Sequence, residues 1–215
     1  MALEHSSLRG KISALLLVFI SAGVLLEGSA SSGRALAASA STAVSNVTHV
    51  EILGVIDQET ALEVLTAVST LPSRLDVTID SPGGQTPAAS LIVRSFEALR
   101  HSGKVVKCRV SGRALSAAFW ILQACSIREA VPGARLMIHE PRAMFFGETG
   151  SAFVAKIPFL QSLVFQLQRD SEAIAATCAE RMHLSESAWH AKLTEDWNMT
   201  ASEALKNHAI DLIIP

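Results

Sequence analysis

The sequence predicts an α/β domain whose parallel strands are joined by crossover helices. Three β-branched apolar runs carry the strand signal: VTHVEILGVI at Val47–Ile56, LDVTI at Leu75–Ile79 and KVVKCRV at Lys104–Val110. Segments with apolar residues at helical spacing lie between them, and that alternation is the pattern of a parallel sheet covered by helices. The chain has 215 residues, 49% of them hydrophobic, enough for one ordinary globular domain and some additional sequence.

The first helix is expected over Gln58–Leu71, where Ala61, Leu62, Leu65 and Val68 share a face and Pro72 closes the run. After the second strand, Asp80-Ser81-Pro82-Gly83-Gly84 reads as a sharp Gly-rich turn. The next segment places Ala88, Leu91, Ile92, Ser95, Phe96 and Leu99 on one amphipathic face. Arg128–Val131 and Arg135–His139 read as short strands on either side of Pro132-Gly133, and Arg142–Gly150 reads as a loop. A long helix is expected over Pro158–Met182 and a short one over Ser185–Leu193. Thr200 and Glu203 then form a capping box that opens a last helix, and Asp211–Ile214 reads as a terminal strand.

The first 37 residues read as a secretory signal peptide. Arg9 and Lys11 precede the uncharged apolar run Ile12–Leu26, and two small-residue stretches that suit cleavage follow, so the mature chain is expected to start near Ser31 or Ala38. The run is fifteen residues long, short of the roughly 20 that span a bilayer; an uncleaved membrane anchor is the alternative. Residues 38–47 read as an Ala/Ser/Thr-rich linker, which leaves 48–215 as the domain, secreted or periplasmic. A net charge of -2 and the absence of tyrosine exclude the basic, base-stacking surface of a nucleic-acid binder. Cys108, Cys125 and Cys178 are an odd set, so one at least has no partner within the chain, and Cys125 reads as a small buried thiol.

The chemistry concentrates between Ser111 and Pro141. Ser116 sits among Gly112, Ala114, Ala117 and Ala118, just before Phe119-Trp120-Ile121-Leu122. A helix that begins there puts its hydroxyl at the positive end of the helix dipole, beside free N–H groups that would stabilise a nucleophile and its oxyanion. His139 ends the strand-like run Leu136–Ile138 and could face that serine. The plainer alternative is a serine that caps its helix and a histidine that packs or faces solvent.

Four ordered motifs decide between them: IDSPGG (Ile79–Gly84), GRALSAA (Gly112–Ala118), PGARLMIHEP (Pro132–Pro141) and DWNMTASEA (Asp196–Ala204). From about Val50 onward the chain resembles the proteolytic subunit of the Clp protease, within the crotonase-like superfamily. The resemblance implies a fold of repeated β-β-α units with a long helix in the C-terminal half. It implies a serine endopeptidase with Ser116 as nucleophile, His139 as general base and Asp196 as the orienting acid. Gly84 and Ala117 would supply the oxyanion-hole N–H groups, no cofactor or metal is implied, and the chain would form a homo-oligomer, a ring or stacked rings.

This sequence also departs from the family pattern. Ala118 stands where a glycine is usual, Glu140 where a glutamine is usual, and the segment between His139 and Asp196 is longer. Signal and linker replace the N-terminal segment that helps engage a cytoplasmic ATPase, so the expected substrates are peptides or unfolded protein, cleaved without an ATPase partner. One alternative is a Ser–Lys peptidase resembling signal peptide peptidases, with Lys156 as base. Another is a non-catalytic binding or assembly module on the same fold.

Overall fold

The computed structural model describes residues 46–142, 157–193 and 195–215, which fall within a compact unit spanning Ala43–Pro215. The expected signal peptide, nearly all of the linker, the 143–156 segment with Lys156, and Thr194 lie outside the described residues.

Five strands form a parallel sheet in the order β1 (Val47–Ile56), β2 (Arg74–Gly84), β3 (Val105–Leu115), β4 (Ile127–Ala130) and β7 (Leu212–Ile213). Strand β5 (Arg135–Ile138) pairs in parallel with the end of β3, and β6 (Trp197–Thr200) runs antiparallel to β5. The helices are α1 (Gln58–Ser69), α2 (Thr86–His101), α3 (Ala117–Gln123), α4 (Ile157–Arg181), α5 (Glu186–Lys192) and α6 (Ala201–Lys206). This is the mixed α/β architecture with a parallel sheet that the strand–helix alternation predicts.

Local chemistry accounts for the elements. Along β2, Leu75, Val77, Ile79 and Ser81 alternate into the core, the period-2 pattern of a strand. Helix α2 buries Ala88, Ala89, Ile92, Val93, Phe96 and Leu99, the expected stripe with Leu91 left outside at 50% exposure. Asp57 caps α1 by accepting from the Thr60 N–H, and that bond holds its carboxyl below the ordinary value. The Thr200–Glu203 capping box forms at α6 as predicted. Every residue of α3 is buried, so this short helix is a core element rather than an amphipathic cover.

Three readings are corrected. Asp80–Gly84 is the end of β2, not a turn: Val55 and Ile56 pair with Gly83 and Gly84 on one side, and Ser81 pairs with Ala114 on the other. Neighbouring strands override the turn preference of Pro and Gly. Likewise β3 runs to Leu115, five residues past the predicted Val110. Cys125 is buried but is not a thiol, because it forms a disulfide with Cys108 that ties α3's C-terminal end to β3. Cys178 is the free cysteine, and burial pushes its thiol well above the ordinary value.

A buried polar cluster anchors the far end of α3. Gln123 donates to the Ala209 carbonyl and accepts from Arg128, whose guanidinium also pairs with Asp211 at 2.6 Å. Burial raises the Asp211 carboxyl, but the Arg128 hydrogen bonds outweigh it and leave the group below the ordinary carboxylate value. Among the described residues no helix is long and apolar enough to cross a membrane.

Candidate active site

Ser116 occupies the junction between β3 and α3, with φ 55° and ψ −121°. Positive φ is rare for a residue with a side chain and costs of order 1–3 kcal/mol, so the surroundings must enforce it. On one side the Ser116 N–H donates to the Met137 carbonyl at 2.7 Å, next to the Leu115–Met137 pairing of β3 and β5. On the other side stands Gly83, itself at φ 94°. A methyl group on Gly83 would fall 2.6 Å from the Leu115 oxygen and 2.8 Å from Ser116 Cβ. Buried Ser81 fixes that glycine by accepting from its N–H at 3.0 Å while donating to the Gly54 carbonyl at 2.6 Å.

The glycine of GRALSAA has a related reason. A Cβ on Gly112 would meet the Asp80 carboxylate at 2.6 Å, and Asp80 accepts from the Arg113 N–H across the same gap. IDSPGG and GRALSAA are therefore two halves of one junction.

The chain turns at Ser116 and α3 begins at Ala117. Ser116 is the N-cap residue, yet its hydroxyl makes no capping hydrogen bond. The oxygen is free of the duty that the plainer reading of this serine assigns to it. Ala117, at the first helical position, has no carbonyl one turn back within the helix for its N–H.

Ser116, Ala117 and His139 line one small cavity of about 20 Å³. Its apolar walls are Ile138, Pro141 and Ile174, and its remaining polar ones are Thr86 and Trp120. His139 Nδ1 lies 2.6 Å from the Glu140 carbonyl oxygen. A carbonyl only accepts, so Nδ1 carries a proton, and Nε2 is the nitrogen that accepts in the neutral form of the ring. That is the tautomer a general base needs. The Glu140 side chain accepts from Ser171 Oγ at 2.5 Å and faces His190 Nδ1 at 3.4 Å, tying the residues after His139 to α4 and α5.

Asp196 is placed differently. The antiparallel β5–β6 ladder ends at the Ile138–Trp197 pair, so His139 directly follows β5 and Asp196 directly precedes β6 at the same end of the ladder. The carboxylate is exposed, however, and accepts from Arg142 Nη2 rather than from the histidine. Gly84 shares β2's end with Gly83, but a Cβ there would run into the Ile56 backbone at 2.1 Å, on the β1 side. Gly83 is thus the contact residue that sequence reasoning did not single out, although it lies inside the motif that contains Gly84.

The strain at Ser116 generates a prediction. Ser116→Gly should be more stable than Ser116→Ala by roughly 1 kcal/mol, since glycine relieves the positive φ while adding some unfolded-state entropy. Thermal unfolding of both variants checks this; an alanine variant as stable as the glycine one would mean that the junction is not strained.

The Clp protease family model matches residues 32–215. No curated protein matches the sequence. Among solved structures, a ClpP1 mutant from Listeria monocytogenes is similar with a TM-score of 0.65 and 22% identity, over 78% of this chain and 91% of that one. At that identity the likeness establishes the fold, and the family match covers most of the chain. This chain belongs to the Clp protease family.

Proposed function

We propose that the protein is a serine endopeptidase in which Ser116 is the nucleophile, His139 the general base and Asp196 the acid that orients it. One observation carries the reading: an uncommitted serine hydroxyl at the start of a buried helix shares a cavity with a histidine whose Nδ1 is occupied by a carbonyl. Ser116 Oγ attacks the scissile carbonyl as His139 Nε2 takes its proton. The oxyanion is received by the N–H groups of Ala117 and Gly84. In support of Gly84, its neighbours' N–H groups are already engaged, Gly83's by Ser81 and Gln85's by Ile56. His139 then returns the proton to the leaving amine, and water releases the acyl group by the same steps in reverse.

In this reading Arg142 competes with His139 for Asp196. In support, the two residues adjoin the last pair of the β5–β6 ladder, His139 after β5 and Asp196 before β6. The Glu140 carbonyl holds the correct tautomer meanwhile, but as a neutral acceptor it stabilises the imidazolium less than a carboxylate does.

Substrates are peptides or unfolded protein, and no ATPase partner is required. The proposed compartment is extracytoplasmic, supported by the Arg9–Leu26 pattern and by the Cys108–Cys125 disulfide, a bond that persists in oxidising surroundings. Self-association is supported by exposed Phe159, Val164 and Phe165 on α4. N-terminal sequencing and light scattering on protein from the native host test both: an intact Met1 would refute export, and a monomer at micromolar concentration would refute assembly.

A peptide-turnover assay on folded variants tests the catalytic assignment. Ser116→Ala and His139→Ala should be essentially inactive, and Asp196→Asn should lose up to about 10⁴ in kcat. Arg142→Gln, which frees Asp196, should raise kcat, and Lys156→Ala should stay within a few-fold of wild type. Near-normal turnover by His139→Ala, or loss confined to Lys156→Ala, would contradict the triad.

A further inference from the structure

The group that sets the His139 tautomer is itself held from outside the site. Among the described residues the ring makes one hydrogen bond, from Nδ1 to the Glu140 carbonyl at 2.6 Å, while Arg142 takes the Asp196 carboxylate. The carbonyl of the very next residue reaches the ring only over a narrow range of backbone angles at Glu140. Pro141 biases Glu140 toward extended backbone but does not fix those angles. The side chain supplies the further restraint, and both of its oxygens are engaged. Oε2 accepts from Ser171 Oγ on α4 at 2.5 Å, and Oε1 faces His190 Nδ1 on α5 at 3.4 Å.

Ser171 uses its hydroxyl selectively. Thr66, Ser69 and Ser95, also on helices, each donate to a carbonyl of their own helix, the local choice open to such residues. Ser171 donates across to Glu140 instead. One turn further along α4, Ile174 lines the Ser116 cavity, so the same helix touches the site at two points. His190 is flanked in turn by Glu186, one turn earlier on α5, whose Oε1 lies 3.9 Å from Nε2.

We infer that Glu140, Ser171 and His190 are positioning residues for the general base. The two helices grip the Glu140 side chain, its carbonyl stays on His139 Nδ1, and Nε2 stays the proton acceptor. Which ring nitrogen carries the proton is set by such hydrogen bonds, and a catalytic group works at full rate only when its supporting contacts lock its orientation. The inference rests on the serine-peptidase reading of the same site.

The test measures how fast an alkyl fluorophosphonate labels Ser116 in the mature protein, together with kcat and KM on a fluorogenic peptide. Ser171→Ala and His190→Ala should each slow labelling and kcat roughly 3- to 10-fold, the scale of one net hydrogen bond, with KM unchanged. Glu140→Ala loses both contacts and should cost about 10-fold or more. Glu140→Gln should recover most of that loss, because its amide can accept from His190 and donate to the Ser171 hydroxyl. In a His139→Ala background Ser171→Ala should add nothing, since a positioning residue acts through the histidine. If Glu140→Ala does not fold, Ser171→Ala, which deletes a single oxygen, decides by itself. Ser171→Ala at the wild-type labelling rate, Glu140→Gln as slow as Glu140→Ala, a loss carried by KM, or a further loss without His139 would overturn the assignment and leave the peptidase reading standing. No labelling of Ser116 in the wild type would remove the peptidase reading and this inference with it.

Discussion

The backbone at Ser116 must bend through a conformation that a side-chain-bearing residue avoids, with φ at 55°, and the features around the site are the means of holding it there. Gly83 lies close enough to leave no room for a methyl group. The Met137 carbonyl takes the Ser116 N–H. Behind the junction, the Cys108–Cys125 disulfide fastens the C-terminal end of α3 to β3, and Gln123 with Arg128 secures that same end. A strained residue persists only when its surroundings over-determine it, and here the constraint comes from β2, β5 and α3 together. The result presents a hydroxyl that is not spent on capping, beside an N–H at the start of a helix.

The second theme is competition for two polar groups. His139 Nδ1 donates to the carbonyl of Glu140, while the Asp196 carboxylate, just beyond the last β5–β6 pair, is held by Arg142. The histidine has the tautomer it needs, without a charged partner for the imidazolium that proton transfer creates. Glu140 connects the same residues to Ser171 and His190, so the position that departs from the family's usual glutamine is a structural tie between the site and two helices. Activity in this account depends on how a pair of exposed charges partitions between neighbours, a balance that exposed ion pairs set by small free energies.

Much of this was legible in the sequence, and the exceptions share one cause. Ser116 was placed at a helix start by the small residues before it and the apolar run after it, and His139 at a strand end by Leu136–Ile138. Thr200 and Glu203 identified their helix through local chemistry. By contrast, IDSPGG reads locally as a turn and becomes strand only because β1 and β3 hydrogen-bond it on both sides. Three cysteines allow three pairings, and only the approach of β3 to the end of α3 selects Cys108 with Cys125. The four-residue strand β6 carries too short a pattern to be seen, yet its pairing with β5 brings Asp196 and His139 to the same end of the ladder. Local signals are read from the chain, whereas contacts between distant segments need the fold.

The central claim is that the strained junction delivers an activated serine. The most direct measurement is intact-mass analysis of the mature protein after reaction with an alkyl fluorophosphonate, with peptide mapping of the adduct. The account predicts a single adduct per chain on Ser116, and labelling slowed by orders of magnitude in His139→Ala while the fold is retained. An adduct on another residue, no adduct at all, or labelling of Ser116 at the wild-type rate without His139 would contradict it.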